Sequence, residues 1–445
     1  VKKKIFSFLV SLLFILQPNL VVANSLIDIT HAAGYTEALE SNQPKASIVI
    51  DAKSGDILWE DNIDARRDPA SMSKMLALYL VFEAMEQGKF SPETVVTATA
   101  NDQAIARLYE ISNNKIVAGV DYTVAELIIA TIVPSSNAAT LMLANLVESD
   151  PDAFIDLMNA KAAELGMTNT TINNATGAVA RAFQGYYAPQ RHDIYAPNET
   201  TVRDWAILTY NFVNKFPNIL NYTGDSYVTI KKGTPYEESF KSYNYSLPNG
   251  KYALEGVTGL KTGSSPSAGF NITATAKRGD QEVIAVLMGV GDWSDQNGEF
   301  YRHPFLNALL EKGFADYDYE QIAPAGKIDA SGQKVTVDQP IYGTVPAGGK
   351  AELVYADNKV TVSNGLSKVS PLVAEQQAVS AKKSGLFSFG RKAKTTDTDK
   401  AQESQNSGSF LQLFLGLLAA ILVVGFLIFL IEKRGRKVRR QRRRK

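Results

Sequence analysis

Residues 270–289 read FNITATAKRGDQEVIAVLMG. β-Branched and apolar residues flank Gly279-Asp280, which predicts an antiparallel hairpin with strands Phe270 to Lys277 and Glu282 to Gly289 around the turn Arg278-Gly279-Asp280. A similar pattern lies near the other end, where Ala46 to Asp51, the turn Lys53-Ser54-Gly55-Asp56 and Ile57 to Glu60 form a second hairpin. Helical periodicity fills the space between. One helix is expected to open at Ser71, with Met72, Met75, Leu76, Tyr79, Leu80 and Phe82 on a wide apolar face and Gly88 at its end. Further helical stretches cover Val124 to Ile132, Ala138 to Val147, Pro151 to Leu165 and Val202 to Val213. Strands, then helices, then strands describe an α+β domain whose antiparallel sheet gathers both chain ends around a helical half. This unit is placed at residues 24–320.

After it the pattern shortens. Lys334 to Val337, Lys350 to Tyr355 and Lys359 to Val362 suggest a small β module over 321–374. Residues 375–409 are rich in Lys, Ser, Gln and Thr and are expected to be a flexible tether. Phe410 to Ile431 is an uncharged apolar run, long enough for a transmembrane helix across a hydrocarbon core of about 30 Å. The segment 432–445 that follows holds ten basic residues and one acid, so the positive-inside rule puts it in the cytoplasm and the preceding chain outside the cell membrane. At the start, Lys2-Lys3-Lys4, an apolar run from Ile5 to Leu16 and Val21-Val22-Ala23 read as a signal peptide over 1–23.

The 46 basic and 46 acidic residues cancel formally, but the charge is uneven. Removing the three N-terminal lysines and the net nine positives of the tail leaves the intervening chain with twelve net negative charges, which argues against nucleic acid as a partner. There is no cysteine, which excludes disulfides, thiolate metal sites and a Cys nucleophile. His31, His192 and His303 lack any metal-ligand spacing, and no metal or cofactor is expected.

Three short patterns stand in order: Ser71-Met72-Ser73-Lys74, Ser135-Ser136-Asn137 and Lys261-Thr262-Gly263. A Ser and a Lys three apart at a helix start share a face, so the amine can serve as base for the hydroxyl, while the helix N-terminus favours negative charge developing beside it. Ser135 can relay a proton toward a leaving amine, and Asn137 offers an amide donor and acceptor to a substrate. Lys261 supplies positive charge for a carboxylate and Thr262 a hydroxyl. Gly263 lets an extended peptide approach the strand edge, and the N–H of Ser264 can complete an oxyanion hole with that of Ser71. Each pattern recurs by chance, as at Ser112 to Lys115, Ser112 to Asn114 and Lys53-Ser54-Gly55. Context separates the set, because only Ser71, Ser135 and Lys261 combine a helix start, a loop entering a helix and a strand beside the hairpin.

With those residues in place, the chain resembles the low-molecular-mass penicillin-binding proteins, the D-alanyl-D-alanine carboxypeptidase family, and most nearly their staphylococcal branch. The resemblance is carried by Pro69 to Lys74, Ser135 to Ala139, Gly259 to Ser265, Asn174-Ala175-Thr176-Gly177-Ala178, Thr201-Val202-Arg203-Asp204 and Met288-Gly289. It implies a β-lactamase/transpeptidase-like fold and a serine acyl-enzyme that needs no cofactor. Ser71 would attack the carbonyl between the two terminal D-alanines of a peptidoglycan stem peptide, release the last, and pass the acyl group to water or to a neighbouring amine, with β-lactams as inhibitors. By the same resemblance Lys74 is the base, Ser135 and Asn137 complete the proton path and substrate grip, Lys261 with Thr262 holds the terminal carboxylate, and Glu110, Arg181 and Arg203 fall near the cleft. Two departures stand out. Val290-Gly291-Asp292 occupies the place where Gram-negative relatives carry an Arg, so carboxylate binding must lean on other groups, and Ser136 replaces a Gly. Two other readings share the site. A β-lactamase of class A would need a Glu-x-x-Leu-Asn segment between the second and third patterns, which is missing, and a β-lactam sensor would acylate once without turnover.

Overall fold

The computed structural model describes residues 25–383. The signal-peptide, transmembrane and tail segments expected at 1–23, 410–431 and 432–445 lie outside these residues, and among the described ones no helix is long and apolar enough to cross a membrane.

Both expected hairpins form, as β1 (Ala46–Asp51) with β2 (Ile57–Asp61), and β4 (Gly269–Arg278) with β5 (Gln281–Val290). Together with β3 (Val257–Ser265) they make one antiparallel sheet in the order β2-β1-β5-β4-β3. The first strand of this sheet along the chain pairs with its last, from Ala46 opposite Met288 to Asp51 opposite Val283. Period-two alternation sends the two faces of this sheet into different cores. Ile48, Ile50, Ile284, Val286 and Met288 join the helical half, whereas Val49, Val283, Ala285 and Leu287 face Phe305, Leu306, Leu309 and Leu310. Those four belong to the helix Gly298–Asp316, for which the sequence reading had no element because Pro304 and Gly313 stand inside it as apparent breakers.

The helix Lys74–Glu86 runs through the centre of the helical half and buries residues all round, so its apolar pattern is wider than a single face. It begins three residues later than expected. Ala70–Ser73 forms a 3₁₀ turn ahead of it, and Ser71 therefore sits in that turn and not in the α-helix itself. The helices Val124–Ile132, Asn137–Val147, Pro151–Glu164 and Val202–Lys215 follow the expected spans within a residue or two.

The C-terminal module is larger than expected and is fixed to the domain before it. Its strands are β6 (Tyr317–Ala323), β7 (Gly326–Ala330), β8 (Gln333–Val337), β9 (Ile341–Pro346), β10 (Glu352–Ala356), β11 (Lys359–Ser363) and β12 (Val379–Lys383). They form a ribbon, β6-β9, and a sheet in the order β7-β8-β12-β11-β10. The expected tether start at residue 375 is thus corrected, since the helix Pro371–Gln377 and strand β12 continue the module to Lys383. Val373 and Ala381 are buried, and β12 supplies the hydrogen bonds that join β8 to β11. The turn Lys53 to Asp56 is the docking plate. Buried Asp56 pairs with Lys368 at 2.8 Å, Ser54 Oγ meets Thr344 Oγ1 at 2.7 Å, and the N–H of Val369 donates to the carbonyl of Gly55. Gly55 has φ +70° and lies so close to Val373 that a Cβ would come within 2.3 Å of it.

Candidate active site

The turn that carries Ser71 is held from three sides. Asp68, only 9% exposed, accepts from the Ala70 N–H at 2.7 Å through one oxygen and from Ser265 and Ser267 hydroxyls through the other. Its carbonyl accepts from Asn271 Nδ2 at 2.9 Å, so one residue ties the turn to β3 and β4. Ala70 adopts φ +48°, a conformation that costs a non-glycine residue about 1 kcal/mol or more and persists because the surroundings fix it. On the second side Gly263 of β3 lies against the turn, where a Cβ would meet the Pro69 carbonyl at 2.5 Å. On the third, Gly177 abuts the Ala70 carbonyl.

Lys74 follows Ser71 by three residues, and the three-residue period of the 3₁₀ turn stacks the two side chains. Lys74 Nζ is 3.0 Å from Ser71 Oγ, 2.8 Å from Asn137 Oδ1 and 2.8 Å from the Thr176 carbonyl. The Thr176 carbonyl is aimed inward by an Asx turn in which Asn174 Oδ1 accepts from the N–H groups of Thr176 and Gly177. Lys74 is completely buried, and loss of water, aided by the charge of Lys261, pushes its pKa well below the usual lysine range. A neutral amine has two hydrogens and one lone pair. Asn137 Oδ1 and the Thr176 carbonyl can only accept, so they take the hydrogens, and the lone pair is left facing the Ser71 hydroxyl. The arrangement is that of a base with its proton acceptor aimed at a nucleophile.

Ser135, at φ +63°, presents its hydroxyl to Lys261 Nζ at 2.9 Å. Its neighbour Ser136 caps the helix Asn137–Val147 by accepting from the Ala139 N–H, a structural reason for the departure from Gly at this position. Lys261 is buried, and its Nζ also donates to the Thr262 carbonyl. Desolvation first, and then the charge of Arg302, draws its pKa down to about 7. Arg302 reaches the site from the helix Gly298–Asp316, donating to Ser264 Oγ at 3.3 Å, the Asn271 carbonyl at 3.2 Å and the Tyr243 carbonyl at 3.3 Å. Its Nε has no hydrogen-bond partner among the described residues. A cleft of about 210 Å³ joins these groups, lined by Ser71, Ser135, Thr262, Ser264, Arg302 and Glu299 among others.

The structure brings together Ser71, Lys74, Ser135, Asn137, Lys261, Thr262, Gly263 and Ser264, and it corrects several of the expected contributions. Gly263 is required by the close approach of the Ser71 turn, which already explains the missing side chain. Asn137 spends Oδ1 on Lys74 and donates from Nδ2 to the Ser112 carbonyl at 2.9 Å, so it positions the base more than it grips a ligand. Lys261 points at Ser135 and is shielded by it, leaving Arg302 as the cation on the cleft wall. Glu110 is exposed on the loop before Ser112 and does not line the cleft. Arg203 is remote from it, forming a two-pronged pair with Asp64 at 2.7 and 3.0 Å, because the helix Val202–Lys215 starts on the side facing the C-terminal module. Arg181 is exposed and lines a separate surface pocket with Tyr187 and Tyr195. Ser112, discounted as a chance match, contributes a cleft wall and the carbonyl that holds Asn137. Asp68, Asn174 and Arg302 were missed; the Asn174 to Gly177 segment was a usable signal, whereas nothing local marked the other two. Among the described residues no cluster of His, Cys, Asp or Glu could hold a metal ion.

The sequence profile of the D-alanyl-D-alanine carboxypeptidase family matches residues 33–292, and a domain of unknown function matches 319–380. D-alanyl-D-alanine carboxypeptidase DacF of Bacillus subtilis is 26% identical over 278 residues, covering 62% of this chain and 64% of that protein. DacC of Escherichia coli is 31% identical over 265 residues, covering 58% and 59%, so the chain spans under two thirds of the length of both relatives. Among solved structures, a peptidoglycan synthesis regulatory factor (PBP3) of Streptococcus pneumoniae superposes with a TM-score of 0.62 at 24% identity, over 76% of this chain and 98% of that one. Penicillin binding protein 5 of Haemophilus influenzae gives 0.59 at 22% identity, over 78% and 96%. These likenesses give the fold of the described residues as that of the penicillin-binding proteins. The matched profile takes in more than half of the 445 residues, including the turn of Ser71, the loop of Ser135 and the strand of Lys261, and the chain accordingly belongs to the D-alanyl-D-alanine carboxypeptidase family.

Proposed function

We propose that this chain is a serine-type D-Ala-D-Ala carboxypeptidase acting on peptidoglycan stem peptides through an acyl-enzyme on Ser71, and that β-lactams acylate the same oxygen. The observation that carries the reading is the position of Lys74, 3.0 Å from Ser71 Oγ with its two hydrogens engaged elsewhere. Lys74 takes the hydroxyl proton as Oγ attacks the carbonyl before the last D-alanine. The proton reaches the departing amine by way of Ser135, whose hydroxyl is oriented by Lys261. Arg302 and the hydroxyls of Thr262 and Ser264 on the cleft wall hold the terminal carboxylate, which supplies the positive charge absent from the Val290-Gly291-Asp292 segment. Water then resolves the ester. The test is mass spectrometry of the full-length protein after exposure to penicillin, with D-alanine release from a pentapeptide measured in parallel. A single adduct on the peptide containing Ser71, together with D-alanine release that penicillin blocks, is expected; an adduct elsewhere, or release insensitive to penicillin, would refute the mechanism.

The apolar run 410–431 with its basic flank supports a cell-membrane anchor that leaves the catalytic domain outside. A chain ending at residue 409 is expected in the soluble fraction and the full chain in the membrane pellet. Equal partitioning of the two would remove the anchor.

A further inference from the structure

The first two turns of the helix Gly298–Asp316 put two opposite charges on the wall of the Ser71 cleft, Glu299 and Arg302. Three residues apart, they lie on one face of the helix. Arg302 is buried and hydrogen-bonded to three oxygens. Glu299 is half-buried, is the one carboxylate in the cleft lining, and has no side-chain hydrogen bond or ion pair among the described residues. The charged groups beside it around Ser71 are engaged. Lys74 and Lys261 have protein partners, and Asp68 on the far side of the turn accepts from both of its serines.

Glu299 supports the charge of buried Arg302 through space, but a carboxylate at this place is a cost to the substrate proposed above. That substrate ends in a carboxylate destined for Arg302, and Glu299 repels it from a helical turn away. The cost is explained if a different species enters the same cleft bearing positive charge. Once the terminal residue has left, the acyl group on Ser71 meets its second nucleophile. Water is neutral, but an aliphatic amine arrives mostly as an ammonium ion near neutral pH, because its pKa lies about one to three units higher.

We propose that Glu299 is the acceptor-selecting residue, holding the ammonium of an incoming amine beside the acylated Ser71 and so favouring transfer to amines over hydrolysis. This rests on the acyl-enzyme reading above and assigns a specificity-determining residue to its amine-transfer branch, whose acceptors are amine-terminated peptides or amino acids. The transfer balances. The ammonium gives one proton to solvent, and the amine nitrogen forms a bond to the acyl carbon. The second proton leaves that nitrogen through neutral Lys74, and the ester bond to Ser71 Oγ breaks as Oγ takes it up. For a zwitterionic amino acid, Arg302 receives the carboxylate while Glu299 receives the ammonium.

The experiment follows the full-length protein turning over a D-alanyl-D-alanine peptide in the presence of glycinamide, a cationic acceptor, or methanol, a neutral one. Free acid, amide and methyl ester products are separated by mass. In Glu299→Gln the amide-to-ester product ratio is expected to fall about fivefold, the size of effect of one partly exposed charge pair, and raised salt is expected to lower the same ratio in the wild type but not in the variant. Glu299→Asp, which keeps the charge, is expected to recover part of the ratio. An amide-to-ester ratio unchanged in Glu299→Gln overturns the proposal, as does an equal fall in both products, which would mean a general disturbance of the cleft. Hydrolysis without any amide product from the wild type also overturns it while leaving the carboxypeptidase reading in place, whereas absence of any product from the wild type would overturn both.

Discussion

Replacing Lys74 by methionine is expected to lower the rate of Ser71 acylation by about 10³-fold, in the range found when a positioned general base is removed. Methionine keeps an unbranched side chain of comparable length in the buried channel but offers no lone pair to the hydroxyl and no hydrogens to Asn137 or Thr176. The pH profile separates this from misfolding. In the unaltered protein only the neutral amine can accept the proton, so acylation falls on the acid side as Lys74 becomes protonated, and burial sets that limb well below the pH at which an exposed lysine would titrate. The variant should lose the limb as well as the rate. Stopped-flow measurement of acylation by a chromogenic β-lactam across pH checks both; a rate within tenfold of the unaltered protein, or an acid limb that survives, would remove Lys74 from the base role. The same burial has a consequence for stability. An unfolded lysine holds its proton up to about 10.4, whereas Lys261 releases it at about 7 in the folded chain. Between those limits the unfolded state binds the additional proton, so the contribution of this residue to stability rises with pH.

Gly177→Ala is expected to destabilise the protein by about 4 kcal/mol, at the upper end of single-residue effects. Two causes combine. Gly177 has φ +90°, and a Cβ there would sit 1.8 Å from the Ala70 carbonyl oxygen and 2.8 Å from the Ser71 nitrogen. Both are backbone atoms of the turn that Asp68 already fixes, so no side chain can swing aside. Gly185 provides the comparison, with φ +94° and nothing within 4 Å of its would-be Cβ. Gly185→Ala carries only the conformational cost of about 1 to 2 kcal/mol, and the difference between the two variants in urea unfolding isolates the collision. Folded Gly177→Ala should also acylate slowly, since relief of the contact displaces either Ser71 or the Thr176 carbonyl that holds Lys74. Equal stability of the two variants would show that the turn yields.

Local features were legible where a short stretch of chain decides them. The two hairpins, four of the helices and the Ser71, Ser135 and Lys261 patterns all depend on periodicity, turn residues and spacing within a few positions. The helix Gly298–Asp316 was not, because Pro304 and Gly313 obey the rule for breakers locally while Phe305, Leu306, Leu309 and Leu310 find a sheet face to cover. The module boundary was misplaced for a related reason: residues 375–383 look polar and loose, yet β12 is bounded by partners on both sides, and pairing with β8 and β11 outweighs weak local preference.

By itself the sequence determined the alternation of strands and helices, the order of the three candidate segments and the placement of a serine hydroxyl one turn before an amine. What only the tertiary structure decided is which distant groups converge on that pair. Arg302 stands 231 positions beyond Ser71 and the Thr176 carbonyl 105 positions beyond it, and nothing in the neighbourhood of Arg302 along the chain marks it for this place. Arg203, with an equally plausible sequence context, turns away to meet Asp64. A charged side chain in isolation is compatible with many partners, and the choice among them is made by the packing of the sheet against its two layers of helices, which fixes where each backbone passes and which of its atoms are left without water.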